Sequence, residues 1–195
     1  MRYLARLFKF HWMLFRKHNK SIWSRESVSE LNIPIPWYTY GAIYFLMRIN
    51  AENIFEYGCG NSTLFWSKRC KNLYFVEHDS KWFEKIIEKC PKNVEGYETS
   101  NLSVAYPNSI SIPEKKFDMI IIDGEERMRC AAVCIPYLSE NGVIVLDNSD
   151  RFLEVSFFLQ GEGFVEIPFK GIGPINEYEW TTSVFVKNLN LWKIA

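Results

Sequence analysis

Short runs of apolar residues recur through the middle of the chain, and segments with helical character separate them. Short continuous runs of this kind are typical of strands that are buried on both faces of a parallel sheet. The first five runs read "NIFEYG", "LYFVEH", "VEGYET", "FDMIIIDG" and "GVIVLDN". Two more, "FVEIPF" and "TTSVFV", flank a loop that contains glycine and proline, and they predict two closing strands. The pattern therefore predicts an α/β fold in which helices cover both faces of a mostly parallel sheet.

The ends of the predicted strands carry acidic residues. Glu56, Glu77, Asp123 and Asp147 lie at or beside the ends of the first, second, fourth and fifth strands. Core packing gives no reason to place carboxylates there. In open parallel sheets, ligands bind beyond the carboxyl ends of the strands. The sequence therefore predicts a polar ligand site at this edge of the sheet.

A glycine turn follows the first strand, in the stretch "NIFEYGCGNSTLFW". Such a turn usually lets a nucleotide-like ligand approach the backbone. A dinucleotide site would have a third glycine where Thr63 stands, and the Glu56 carboxylate would repel a diphosphate. A ligand with an ammonium and a sulfonium group would instead be attracted. Asn61 or Ser62 is suited to cap the helix that follows.

These motifs, "FEYGCGNS" and then "VEH", resemble the class I S-adenosylmethionine (SAM)-dependent methyltransferases from about residue 36 to 186. The resemblance implies a seven-stranded, mostly parallel Rossmann-like sheet with an antiparallel final strand, and SAM as cofactor. It also implies that Glu77 binds the ribose hydroxyls and that Glu56 lies near the donor's amino group. The cofactor-binding residues that it implies are Glu56, Gly58, Cys59, Gly60, Asn61, Ser62, Glu77, His78, Asn101 and Asp123.

The ends of the fourth and fifth strands would supply the chemistry. Methyl transfer to a hydroxyl needs an acceptor for the proton, and Asp123 and Asp147 are the candidate catalytic residues. "IIIDG" and "GVIVLDN" are similar to the catechol and caffeoyl-CoA O-methyltransferases, which implies a Mg²⁺ site at Asp123, Asp147 and Asn148. Glu126 stands where that branch has a lysine base. In the alternative, Asp123 lines the donor pocket and Asp147 closes it, without a metal.

Two aromatic stretches are candidates for the acceptor side. "PIPWYTY" precedes the first strand, and "GIGPINEYEWTTS" connects the closing strands. These stretches, with "VEHD" and "LDNSDR", resemble a small group of bacterial proteins, a resemblance that reveals no substrate. Trp37 and Tyr38 are equally compatible with core packing. The predicted substrate-binding residues are Trp37, Tyr38, Asn148, Tyr178 and Trp180.

The zero net charge of the 195 residues hides an asymmetry between the N-terminal arm and the rest. Residues 1–25 contain seven basic residues and no acidic one, whereas the remainder contains 16 basic and 23 acidic residues. We divide the chain into a basic amphipathic arm, 1–32, and a methyltransferase domain, 33–195. The arm is suited to peripheral contact with an anionic membrane or to packing on the domain, and the acidic domain makes nucleic acid an unexpected partner. No segment reads as a signal peptide or membrane span, and five unpaired cysteines favour a cytoplasmic location, with the inner face of the membrane as an option.

The sequence thus favours a SAM-dependent methyltransferase, with oxygen of a small-molecule or glycan- or lipid-linked acceptor as the target. Two alternatives remain at this point. One is a nicotinamide-dependent oxidoreductase built on the same sheet. The other is a non-catalytic module that binds a membrane surface through its arm.

Overall fold

The computed structural model describes residues 21–187, and the predicted arm therefore lies mostly outside the described residues. The described residues contain one seven-stranded sheet with the order β3-β2-β1-β4-β5-β7-β6. The strands are β1 (Asn53–Tyr57), β2 (Asn72–Glu77), β3 (Val94–Glu98), β4 (Phe117–Ile122), β5 (Leu138–Leu146), β6 (Val165–Gly171) and β7 (Trp180–Val186).

The directions of the strands confirm the predicted fold class. Strands β1 to β5 pair with one another in parallel, whereas β7 is antiparallel to both β5 and β6. Strand β1 lies between β2 and β4, and the chain leaves it toward β2 on one side and later returns to β4 on the other. The carboxyl ends of β1 and β4 therefore flank the switch point in strand order, where ligands bind in open α/β sheets.

Helices separate the parallel strands, as the alternating pattern predicts, with two corrections. The helix after β1 starts at Asn61 with Gly60 as its N-cap, and neither Asn61 nor Ser62 caps it. A short helix after β3 was not predicted, because its four residues contain a proline and no apolar period. The helices are α1 (Tyr40–Leu46), α2 (Asn61–Trp66), α3 (Ser80–Ile87), α4 (Ala105–Asn108), α5 (Arg127–Cys134) and α6 (Leu153–Gly161).

Side chains of the sheet alternate between two hydrophobic cores, one on each face. Ile54 and Ile121 pack with α1 and α2 on one face, and Phe55 and Ile120 pack with α5 and α6 on the other. Because both faces are covered, a continuous apolar run is the sequence that such a strand requires. This arrangement explains why "FDMIII" contains a single polar residue.

That polar residue, Asp118, positions the start of β1. Its Oδ2 accepts hydrogen bonds from the backbone N–H groups of Glu52 and Asn53, both at 3.0 Å. Its Oδ1 accepts from the Ser139 hydroxyl at 3.0 Å. Asp118 therefore fixes the amino ends of three neighbouring strands, and the acids at their carboxyl ends are left for another role.

The segment before α1 packs on the domain. Ser27 and Val28 are buried, and Val28 forms an antiparallel bridge with Pro34 across the predicted boundary at residue 32. The Ser27 carbonyl accepts a hydrogen bond from Asn61 Nδ2 at 2.8 Å. Among residues 21–187, no helix is long and apolar enough to cross a membrane.

Candidate functional site

The turn after β1 packs directly against the turn after β4. Gly58 has φ 92°, and a Cβ at this position would lie 3.2 Å from Gly124 Cα. The Gly58 N–H donates to the Val76 carbonyl at 2.9 Å, which holds the turn beside β2 as well. Both the left-handed backbone and the close approach therefore require glycine at 58. Gly60 is different, because a Cβ there would meet only Trp82 at 4.0 Å.

A cavity of about 390 Å³ opens at these turns, in the size range of small-molecule sites. We call it the donor cavity. Its wall combines the ends of β1, β2 and β4 with the first residues of the helices that follow them. The lining residues are Glu56, Gly58, Cys59, Ser62, Glu77, His78, Asp79, Trp82, Asp123, Gly124, Glu125 and Arg127.

Glu77 is a buried acceptor at the end of β2. Its Oε1 accepts from the backbone N–H groups of His78 at 2.8 Å and Asp79 at 3.0 Å, and it lies 2.8 Å from His78 Nδ1. Its Oε2 accepts the Cys59 N–H at 3.2 Å. A carboxylate oxygen can accept two hydrogen bonds, so Oε2 retains capacity for a hydroxyl of a ligand.

Glu56 is the buried acid that precedes the glycine turn. The Ser62 hydroxyl donates to its Oε1, and the Thr63 hydroxyl donates to its Oε2 at 2.6 Å. Burial raises the pKa of Glu56 to about 7, although these two hydrogen bonds lower it and the Glu77 charge raises it further. A cation in the cavity would favour the ionised form of Glu56.

Arg127 connects the ends of β4 and β5. Its Nε donates to the Gly124 carbonyl at 3.0 Å, and its Nη1 donates to the Asp147 carbonyl. Its Nη2 lies 3.2 Å from Asp123 Oδ1, and its guanidinium lies 4.3 Å from the Phe152 ring centroid. One mostly buried side chain therefore satisfies carbonyls from both strand ends and balances the charge of Asp123.

Asp147 is held by the closing strand. Its Oδ1 accepts from Trp180 Nε1 at 3.0 Å and from the Thr182 hydroxyl at 2.5 Å. Burial raises the pKa of Asp147 to about 6, and the two hydrogen bonds and Arg127 oppose that rise. For Asp123, burial and then the charge of Asp147 raise the pKa well above its usual range. The two neighbouring carboxyls therefore do not ionise independently.

A second cavity, of about 310 Å³, adjoins the donor cavity. We call it the acceptor cavity. Asp123 and Arg127 line both cavities, and they form a shared wall between them. The lining residues are Trp37, Asp123, Arg127, Asp147, Asn148, Arg151, Asn176, Tyr178 and Trp180.

Comparison with solved structures places this arrangement in a known fold. The O-methyltransferase TomG from Streptomyces achromogenes, involved in tomaymycin synthesis and solved in complex with SAM, matches 74% of this chain and 78% of its own at 16% identity, with a TM-score of 0.63. An rRNA methylase from Streptococcus thermophilus matches 74% of this chain and 94% of its own at 14% identity, with a TM-score of 0.57. A precorrin-6y C5,15-methyltransferase from Geobacter metallireducens matches 74% and 86% at 13% identity, with a TM-score of 0.55.

The chain has the class I methyltransferase fold. No protein-family model matches the sequence, and no curated protein matches it. The chain therefore resembles these methyltransferases in fold, at 13% to 16% sequence identity.

Within this methyltransferase fold, most of the predicted cofactor residues lie in the donor cavity. Gly60, Asn61 and Asn101 do not line it. The Asn61 side chain turns to the Ser27 carbonyl, and Asn101 Oδ1 accepts from the Ser103 hydroxyl and the Val104 N–H, both at 3.2 Å. The seven that line it are Glu56, Gly58, Cys59, Ser62, Glu77, His78 and Asp123.

Four of the five predicted substrate residues line the acceptor cavity, namely Trp37, Asn148, Tyr178 and Trp180. Tyr38 is instead fully buried in the core behind the site. Its hydroxyl has no hydrogen-bond partner among the described residues. Burial, followed by the charges of Glu56, Asp123 and Asp147, raises the pKa of Tyr38 well above its usual value. An unpaired hydroxyl thus lies within electrostatic reach of the acids of both cavities.

The predicted Mg²⁺ site at Asp123, Asp147 and Asn148 is not supported. Among the described residues, no group of three or more histidine, cysteine, aspartate or glutamate side chains could hold a metal ion. The Arg127 guanidinium already pairs with Asp123, and Asp147 Oδ1 already accepts from Trp180 and Thr182. The cationic Arg127 occupies the place beside these carboxyls where the metal charge would be needed.

Several residues of the site were not predicted. Trp82 lines the donor cavity and donates from Nε1 to the Cys59 carbonyl at 2.7 Å, and it lies in the first turn of α3. Arg127 was also not among the predicted site residues, although its side chain is only 10% exposed. The position of both residues, at the start of a helix that follows a strand-ending acid, is the signal that could have identified them.

Proposed function

We propose that this protein is a SAM-dependent methyltransferase that methylates oxygen of a small-molecule or glycan- or lipid-linked acceptor. The observation that carries the proposal is the pair of adjoining cavities with a shared wall of Asp123 and Arg127. Methyl transfer requires two bound reactants whose reacting atoms come within about 3 to 3.5 Å of each other. Two adjacent sites on one methyltransferase fold meet that requirement.

The residues of the donor cavity fit SAM. The side-chain-free turn at Gly58 gives a ligand access to the backbone, and Glu77 Oε2 has capacity for a ribose hydroxyl. The Glu56 carboxylate would balance an ammonium group. When bound, SAM supplies a methyl group on a sulfonium and leaves as a thioether. A site walled by Glu56 and Glu77 suits this cationic ligand.

The acceptor cavity has a base for the acceptor hydroxyl. As the new O–CH₃ bond forms, the O–H bond breaks and its proton moves to Asp147, whose Oδ2 takes no hydrogen bond from Trp180 or Thr182. A carboxyl with a pKa of about 6 is ionised at neutral pH and is a stronger base than an ordinary aspartate. Asp123, on the shared wall, orients the acceptor toward the donor cavity.

The nicotinamide-dependent alternative is less well supported by the same residues. A dinucleotide places a diphosphate at the glycine turn, where this chain has the buried acid Glu56, and Thr63 stands in the place of the third glycine. The non-catalytic alternative gives no role to Asp147 or to the acceptor cavity. A nucleic-acid acceptor conflicts with the excess of acidic residues after position 25.

The site proposal is tested by Gly58→Ala and its matched control, Gly163→Ala. Both glycines have positive φ, 92° and 86°, but only Gly58 has neighbours within 4 Å. At 100 times its Kd, S-adenosylhomocysteine should stabilise the native protein by about 2.7 kcal/mol, and NAD should not. We expect Gly58→Ala to remove most of this ligand-induced shift in melting temperature, whereas Gly163→Ala keeps it. A shift with NAD alone, or an undiminished shift in Gly58→Ala, would contradict the proposal.

The affinity for S-adenosylhomocysteine should depend on pH through Glu56. Because the pKa of Glu56 is about 7 in the free protein, a proton competes with the ligand's ammonium group at lower pH. Affinity should therefore rise with pH, by roughly tenfold between pH 6 and pH 7.5, as Glu56 becomes ionised. Calorimetry would measure this rise, and Glu56→Gln should flatten it. An equal slope in the variant would show that another group titrates.

The proposed location is the cytoplasm, with the basic arm of residues 1–32 in peripheral contact with the inner face of the membrane. The seven basic residues in the first 25 positions support this part of the proposal. Cosedimentation with anionic liposomes should fall when residues 1–25 are deleted. Equal binding of the full chain and the deletion variant would exclude the arm from this role.

A further inference from the structure

The acceptor cavity has an aromatic wall that is exposed to solvent. Trp37 is 44% exposed and Tyr178 is 51% exposed, although both are large residues that border a cavity. Tyr178 lies 6.1 Å from the ring of Trp180, at an interplanar angle of 62°, and Trp180 is buried. Exposed aromatic side chains grouped around a concave site are typical of a surface that binds a ligand.

A cation without an acidic partner lies on the same wall. Arg151 forms no ion pair with any acid among residues 21–187. The neighbouring Asp150 accepts the Thr181 N–H on Oδ1 at 2.9 Å, and it acts on Arg151 through its charge without forming an ion pair. The Arg151 guanidinium lies 3.4 Å from the Tyr178 hydroxyl and 5.7 Å from its ring centroid. Arg151 thus presents an unpaired positive charge beside an aromatic ring.

The acid and the cation that line the acceptor cavity differ in exposure to solvent. Asp147 is buried and Arg151 is exposed, and both line the cavity. A ligand that fills a cavity of about 310 Å³ can reach the buried acid with one group and the exposed cation with another. A hydroxyl suits the acid, and an anion suits the guanidinium.

We infer that the methyl acceptor is a single hydroxylated ring that carries an anionic group, either a carboxylate or a phosphate. Its ring lies against Trp37 and Tyr178, its anion binds Arg151, and its reacting hydroxyl points to Asp147. The inference rests on the proposed function and specifies its acceptor. Arg151 then determines specificity, since it distinguishes an anionic ring from a neutral ring of the same shape.

The test uses two pairs of probes that differ in charge. One pair is 3-hydroxybenzoate and 3-hydroxybenzamide, and the other is glucuronate and methyl glucoside; 3-hydroxyphenyl phosphate distinguishes a phosphate from a carboxylate. Binding to the full-length protein saturated with S-adenosylhomocysteine is measured by ligand-observed NMR. We expect at least one anionic probe to bind about fivefold or more tightly than its neutral partner.

Arg151→Gln should remove this preference by lowering the affinity for the anionic probe to that for its neutral partner. The matched control is Arg48→Gln, which removes the charge of another exposed arginine, in a separate cavity beside Ala51 and Ile54 near the amino end of β1. Trp37→Ala should weaken both members of a pair. Equal binding within both pairs, an unchanged preference in Arg151→Gln, or no binding of any probe would overturn the inference. Failure to bind S-adenosylhomocysteine would instead overturn the proposed function.

Discussion

Asp147→Asn is expected to lower kcat by about 100-fold or more while donor affinity stays within about twofold of the wild type. The asparagine keeps an oxygen for Trp180 and Thr182 but cannot take the acceptor proton, and a positioned base contributes about 10²- to 10⁴-fold. Asp147 lines the acceptor cavity and not the donor cavity, so donor binding should be preserved. Labelled methyl transfer from SAM and calorimetry with S-adenosylhomocysteine would measure the two quantities.

The control for this prediction is Asp150→Asn, at an exposed aspartate three residues later. Its Oδ1 accepts a backbone N–H, as an asparagine oxygen also can, and it lines neither cavity. In the wild type, kcat should rise with pH through about 6 because Asp147 must be ionised to act as a base. An undiminished kcat in Asp147→Asn, or a loss of equal size in Asp150→Asn, would refute the assignment of Asp147.

Glu77→Ala should weaken the binding of S-adenosylhomocysteine by roughly 100-fold. Each hydrogen bond from a ligand hydroxyl to a carboxylate contributes about 1.5–3 kcal/mol, and the variant loses this acceptor. The variant also leaves the N–H groups of Cys59, His78 and Asp79 without their acceptor, which loosens the wall of the donor cavity. Calorimetry on the folded variant would give the loss of affinity.

Glu98→Ala separates the ligand effect from the loss of any acid at a strand end. Glu98 is the register partner of Glu77 on the adjacent β3, but it is exposed and does not line the donor cavity. Glu77→Gln, which retains an acceptor oxygen, checks that the protein remains folded. Equal affinities of Glu77→Ala and Glu98→Ala would show that Glu77 does not contact the ligand.

The strands of this fold could be predicted because a strand that is buried on both faces needs a nearly continuous run of apolar residues. "FDMIII" and "GVIVL" must be apolar at every inward position of both faces, and the structure contains a strand at each. The short helix Ala105–Asn108 has no periodic apolar pattern in its sequence, because tertiary contacts of Tyr106 hold it in place. Helix ends also differed, as at Gly60, where the Thr63 hydroxyl accepts the Gly60 N–H in place of a side-chain cap.

The acids of the site were predictable because a strand end fixes the direction of a side chain. Glu56, Glu77 and Asp123 reach the donor cavity because they end neighbouring parallel strands. Asn101 lies beyond the end of β3 in a loop whose hydrogen bonds are local, and those bonds turn it away. Arg127 was missed because its local sequence, "GEERMR", does not indicate that it donates to three carbonyls, and only its position after a strand-ending acid points to the site.

The shared wall of Asp123 and Arg127 means that the two cavities do not respond independently. A ligand that moves Arg127 or changes the ionisation of Asp123 from one side alters the surface that the other ligand meets. Such heterotropic linkage is reciprocal. If the ligand of one cavity changes the affinity of the other cavity by some factor, the second ligand changes the affinity of the first cavity by the same factor. Binding in one cavity should therefore strengthen or weaken binding in the other, and one coupling free energy describes both effects.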